Sequence, residues 1–157
     1  MKAATIRELK QELENCSSSE LMVLCLRLSR FKKENKELLT YLLFEASDEA
    51  AYIENVKREI DVQFEQINTS SYYFIKKSAR KILRETKKYI RYSKKKETEV
   101  ELLIHFCSKL AGMHPSIKNN TVLYRLYKRQ IDIIRKALSG LHEDLQYDYE
   151  MELSVIL

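Results

Sequence analysis

Apolar residues recur three and four positions apart along nearly the whole chain, the period of an amphipathic helix, and small polar residues mark the breaks. Thr5 followed by Glu8, and Ser17 followed by Glu20, have capping-box form and predict a first helix to about Glu14 and a second to about Lys32. The second places Leu21, Leu24, Cys25 and Leu28 on one face expected to be buried. A third helix is expected over about Asn35 to Ala46, carrying Leu38, Leu39, Leu42 and Leu43, with Ser47 capping the fourth. The fourth shows Ile53, Val56, Ile60, Phe64 and Ile67 on successive turns of one face. Polar Asn68 to Ser71 separate it from a long fifth helix, about Tyr72 to Ser93. Thr98 with Glu101 predicts the start of a sixth, bearing Val100, Leu103, Ile104, Cys107 and Leu110 and closed by Gly112 and Pro115. Asn120 caps a seventh, in which Leu123, Leu126, Tyr127, Ile134 and Leu138 run on to Gly140. An acidic segment containing tyrosines follows.

The fold class this predicts is all-α, about seven helices paired as antiparallel hairpins, because the connections are only a few residues long. The 157 residues are read as one helical domain: a short N-terminal helix in 1–16, three hairpins in 17–140 and the acidic segment 141–157. Leu21, Leu24 and Leu28 facing Leu38, Leu39, Leu42 and Leu43 across a short turn, with two further hairpins behind them, resemble HEAT-like helical repeats. That resemblance covers about Ser17 to Gly140 and implies a right-handed α-solenoid-like stack acting as a binding scaffold. It identifies no functional residue, the Asp-Pro turn such repeats often carry is missing, and the hairpins differ in length. A compact bundle accommodates the same helices.

Composition narrows the class further. Two glycines and one proline stand where average usage would give about nineteen, too few turn residues for a short-stranded β architecture. Three cysteines, Cys16, Cys25 and Cys107, form an odd set without CxxC spacing, which points away from a disulfide framework and toward a reducing, cytoplasmic setting. The first fourteen residues alternate charges, unlike the apolar core of a secretion signal, and Leu21 to Leu26 is far short of the roughly twenty residues of a membrane span.

Several chemistries lack their residues. A dinucleotide fingerprint needs three close glycines and a P-loop needs Gly-Lys-Ser/Thr, but Gly112 precedes Met113 and Gly140 precedes Leu141. The positions three before His105, His114 and His142 are Leu102, Ala111 and Ser139, so the Glu-x-x-His sets of a di-metal bundle are missing, as is HExxH. Cys107 and His114, seven residues apart, could share a helical face, but Cys107 lies in an apolar stripe where a thiol packs as a small hydrophobe. The same reading places Cys25 in the core. His114 is expected at a helix end. Glu54, Arg58, Asp61 and Glu65 have the spacing of surface ion pairs. Catalysis, a cofactor and a metal are therefore not expected.

Charge gives the one strong signal. Lys76 to Lys96 holds eleven basic residues against one acid, Glu85, and removing that block from 28 basic and 23 acidic residues leaves 17 and 22. The block carries +10 and the remainder −5. Ile75, Ala79, Ile82, Leu83, Thr86 and Ile90 form a stripe able to pack inward, while Lys77, Arg80, Lys81, Arg84, Lys88, Arg91 and Lys95 are the candidate contacts for an acidic partner. Tyr72, Tyr73, Phe74, Tyr89 and Tyr92 interleave with them, a combination suited to nucleic-acid phosphates and bases. An anionic membrane surface and an acidic protein groove are the other partners such a helix fits. The competing reading has the acidic tail, with Glu143, Asp144, Asp148, Glu150 and Glu152, neutralise the ridge within the molecule or across a self-associated pair. In that reading the apolar end Val155-Ile156-Leu157 docks on a neighbour.

Overall fold

The computed structural model describes residues 1–157 and is all-helical: eight helices and no strand. The helices are α1 (Ile6–Glu14), α2 (Ser18–Phe31), α3 (Lys33–Thr40), α4 (Glu49–Glu65), α5 (Tyr72–Ser93), α6 (Lys96–Ala111), α7 (Thr121–Leu138) and α8 (Glu143–Ile156). A π-helical turn, Tyr41–Glu45, extends α3, and a 3-10 turn, Ile117–Asn119, precedes α7. The contacts divide into two compact units, Met1–Phe44 and Glu45–Leu157.

In the first unit the two expected N-caps are present. Thr5 accepts from the Glu8 amide and Glu8 returns the bond at 2.7 Å, a complete capping box, and Ser17 caps α2 through the Glu20 amide. α2 and α3 pack as a hairpin broken by one extended residue, Lys32, and Asn35 donates its side-chain amide to the Leu28 carbonyl at 2.8 Å. The third helix therefore starts at Lys33, two residues ahead of Asn35, whose side chain satisfies an orphan carbonyl at the end of α2. The expected burial is overturned here. Leu24 and Leu28 are 41% and 61% exposed, Cys25 is exposed as well, and in α1, α2 and α3 together only Ser29 is buried. The apolar arc of α2 runs from Phe31 round to Leu26, wider than a half-turn, and one short neighbouring helix covers only part of it.

In the second unit, α6 is the central helix and packs against α4, α5, α7 and α8. Val100, Leu102, Leu103, Phe106, Cys107 and Leu110 are at most 1% exposed, a broad buried arc of the kind a helix packed against four others requires. Ile53, Val56 and Ile60 of α4, Ile75, Ala79 and Ile82 of α5, and Leu123, Ile131 and Ile134 of α7 close this core. Each large aliphatic side chain buried there contributes roughly 1.5–3 kcal/mol. The expected pairs α4–α5 and α6–α7 are both present.

Two caps differ from expectation. Asp48, not Ser47, caps α4 by accepting from the Ala51 amide. α6 begins at Lys96 instead of Thr98, because Thr98 is fully buried and donates its hydroxyl to Glu49 of α4 at 2.6 Å. A tertiary bond takes the hydroxyl that the local pattern assigns to capping. The acidic segment after residue 141 is itself a helix, raising the count from seven to eight. His142 Nδ1 accepts from the Asp144 amide, Glu143 and Asp144 sit in the first turn where the helix dipole favours negative charge, and Tyr149 and Leu153, four apart, are buried.

Candidate polyanion-binding ridge

α5 runs 22 residues from the Ser71 cap to Lys94, whose left-handed conformation (φ 60°) ends it with a bond from its amide to the Ile90 carbonyl. Ile75, Ala79, Ile82, Leu83 and Thr86 are buried, which fixes the rotation of the helix about its axis. Tyr73, Lys77, Arg80, Lys81, Arg84 and Arg91 then share one outward arc, at spacings of three, four, seven and eight residues, and all six are exposed. At 1.5 Å per residue the row from Tyr73 to Arg91 is about 27 Å long.

Lys77, Arg80, Lys81, Arg84 and Arg91 make no ion pair. Lys88 and Lys95 are placed differently. Lys88 lies over the Tyr89 ring, 5.2 Å from its centroid, and Lys95 reaches Glu49 at 3.5 Å. Lys95 thus belongs partly to the α4–α6 junction, where Glu49 also accepts from Ser93 and Thr98. The seven sequence-derived residues are therefore brought onto one helix and its C-terminal flank, with Lys77, Arg80, Lys81 and Arg84 the contiguous uncompensated part.

The aromatics separate by role. Tyr73 and Phe74 are 65% and 41% exposed and meet edge to face at 5.4 Å. With Lys76, Lys77, Ser78, Arg80, Lys81 and Arg84 they line an open groove of about 760 Å³. Tyr72 instead donates to the Ser116 carbonyl at 2.8 Å, and the Tyr89 carbonyl accepts from Tyr52. Tyr72 and the Tyr89 backbone are therefore tied into the fold.

The acidic tail lies elsewhere. α8 packs on α6 and α7, with Tyr127 donating to the Ile156 carbonyl at 2.7 Å, and Glu143, Asp148, Glu150 and Glu152 make no ion pair with α5. Asp144 faces His142 at 3.6 Å. Glu85, the one acid in the basic block, accepts from Gln63 at 2.8 Å.

Positive charge extends beyond what the chain order shows. Lys87 has its ammonium pKa lowered, chiefly by burial and then by the Arg129 charge of α7, with Glu99 opposing. Arg129 of α7 thus lies close enough to the basic helix to add to its field. No local signal marks that pairing, since the two residues are 42 positions apart and meet only through the packing of α5 and α7 around α6.

The nucleophile candidates do not meet. Cys107 is fully buried and its thiol is pushed up to about 12 by burial, whereas His114 is exposed beyond the end of α6. His105 bonds Asp61 of α4 at 2.6 Å, and Lys109 joins the same carboxylate at 3.1 Å. These contacts clamp α6 to α4. Burial raises the Asp61 pKa, but the hydrogen bonds and charges of His105 and Lys109 outweigh it and hold the carboxyl below its usual value. No helix is long and apolar enough to cross a membrane. In comparisons with known proteins, the chain matches no family model, no curated sequence and no solved structure.

Proposed function

We propose that the protein is a non-enzymatic helical binding module whose α5 ridge engages the phosphates of a nucleic acid. The observation that carries this reading is the row Lys77, Arg80, Lys81 and Arg84, exposed and without ion pairs, beside the exposed rings of Tyr73 and Phe74. Four like charges at three- and four-residue spacing repel one another, and an external polyanion offsets that cost while releasing its own counterions. The ring pair favours nucleic acid over an acidic protein groove, since bases stack on exposed aromatics at roughly 1–3 kcal/mol each and carboxylates do not. The α4–α5 and α6–α7 hairpins serve as the scaffold that holds the ridge straight, in keeping with the binding role of helical-repeat proteins.

The test is fluorescence anisotropy with labelled single- and double-stranded oligonucleotides. Contact with about five phosphates predicts that affinity for duplex falls roughly 10²–10³-fold between 50 and 200 mM salt. Arg80→Glu with Arg84→Glu should abolish binding, and Tyr73→Ala should weaken single-strand binding more than duplex binding. Absence of binding at low salt overturns the reading. Salt-sensitive capture of polyglutamate with no affinity for either oligonucleotide transfers the ridge to an acidic protein.

A further inference from the structure

The first unit presents an apolar surface that its own helices do not cover. Thirteen large apolar side chains between Ile6 and Phe44 are exposed, from 37% at Leu38 to 82% at Ile6. Ten of them lie on α2, α3 and the π-helical turn, and at roughly 100 Å² each they sum to about 1,000 Å², enough to supply the ~800 Å² per partner of a standard interface. A unit of 44 residues with almost no core and only free thiols is below the size that folds firmly without metal, disulfide or association.

We propose that this surface is covered by a second copy of the chain, two α2–α3 hairpins packing as a two-fold, antiparallel four-helix arrangement. α2 carries its acid, Glu20, at the start and its bases, Arg27 and Arg30, at the end, and all three are exposed. A two-fold axis passing between Leu24 and Cys25 sets Leu21 opposite Leu28 of the second copy. The same axis brings Glu20 beside the other copy's Arg27 and Arg30. One patch then serves both sides, as an isologous contact requires. Residues 1–44 hold eight basic and six acidic side chains, so two such units approach without the repulsion that two basic ridges would feel. A membrane surface fits less well, because the polar face of α1 mixes Arg7 and Lys10 with Glu8, Glu12 and Glu14. The inference stands apart from the ridge, which lies in the other unit.

Sedimentation equilibrium of the full chain from about 1 to 100 µM should give twice the 18.7 kDa chain mass. Glu20→Arg should raise the dissociation constant about tenfold, and Arg27→Glu with Arg30→Glu should do the same. The three together should return it to within about threefold of the parent, a rescue that a folding defect would not give. In a Cys16→Ser background, a short bismaleimide should join Cys25 to Cys25. A single-chain mass at every concentration overturns the proposal. So does a dimer unmoved by any of these substitutions, or one lost with Arg80→Glu and Arg84→Glu instead.

Discussion

Tyr149 of α8 places its hydroxyl 2.9 Å from a carboxylate oxygen of Glu101 on α6. Glu97 lies 3.1 Å away on the other side, and Lys57 of α4 bonds the second Glu101 oxygen at 2.9 Å. The tail is thereby held to α6 by a hydrogen bond to charge, and its direction sets where the acidic side chains go. Removing the hydroxyl in Tyr149→Phe should cost about 1.5–3 kcal/mol, the range for a bond to a charged acceptor. Burial first, then the bonds and charges of Glu101 and Glu97, drive the Tyr149 pKa upward. An acid whose folded pKa is raised stabilises the fold fully below its unfolded value, near 10, and loses that contribution as pH rises beyond it. Urea midpoints should therefore converge for the parent and Tyr149→Phe above about pH 10. A gap that stays constant to pH 11 would show that the hydroxyl does not carry the effect.

Arg84 stands among Arg80, Lys81, Lys87 and Lys88, every one three or four residues away on the same helix. Reversing its charge converts four repulsions into attractions, each worth a few tenths of a kcal/mol. Arg84→Glu should therefore raise stability by about 0.5–1 kcal/mol, about 1–4 °C in a chain of this size, while weakening oligonucleotide binding. The gain should shrink as salt screens the ridge. A melting temperature lowered at every salt concentration would mean that Arg84 supports the fold and that its exposure is no sign of a ligand.

Much of the second unit is legible in the sequence because its cues are local. The bounds of α5 follow from Asn68–Ser71 and the inward stripe from Ile75 to Ile90, and Asn120 caps α7 as its position before an apolar run requires. What the sequence misses depends on partners distant along the chain. Thr98 has the spacing of a cap, yet Glu49 claims its hydroxyl from 49 residues away. Leu24, Cys25 and Leu28 have the spacing of a core stripe, but periodicity only shows that a face is apolar; burial also needs something to lie against it. The ridge itself was legible from charge and period, whereas its division into free cations, a ring-bound Lys88 and a Glu49-paired Lys95 was not, nor was the approach of Arg129 to Lys87.

Asp61 joins α4 to α6 through His105 and Lys109, and its carboxyl is held below the ordinary range. A carboxylate with a depressed folded pKa contributes stability fully present above its unfolded value, near 4, and lost as pH falls through the folded one. Since the side chain is a third exposed, water screens the pair and the contribution is about 0.5–1 kcal/mol. Asp61→Asn should be less stable by that amount at pH 6 and indistinguishable from the parent near pH 3. Equal acid limbs with a constant offset between the two proteins would assign the loss to packing.

Gln130 of α7 is 2% exposed, and its side-chain carbonyl oxygen is the one buried side-chain polar atom without a hydrogen-bond partner. Its amide nitrogen bonds the Leu126 carbonyl at 3.3 Å, an oxygen at the position where the helix supplies its own i+4 donor. The side chain thus carries the desolvation cost of an orphan acceptor, roughly 1–3 kcal/mol, against one weak bond. Gln130→Met keeps the length and flexibility of the side chain while removing both polar groups, so it should be neutral or stabilise by up to about 1 kcal/mol. Gln130→Glu should destabilise by more than 3 kcal/mol at pH 7, because an unpaired carboxylate would replace the amide in the same dry position. Chemical denaturation of the three proteins at one pH separates the cases. If Gln130→Met loses more than 1 kcal/mol, the buried oxygen has a partner that stabilises the core, and the site is a polar anchor for α7.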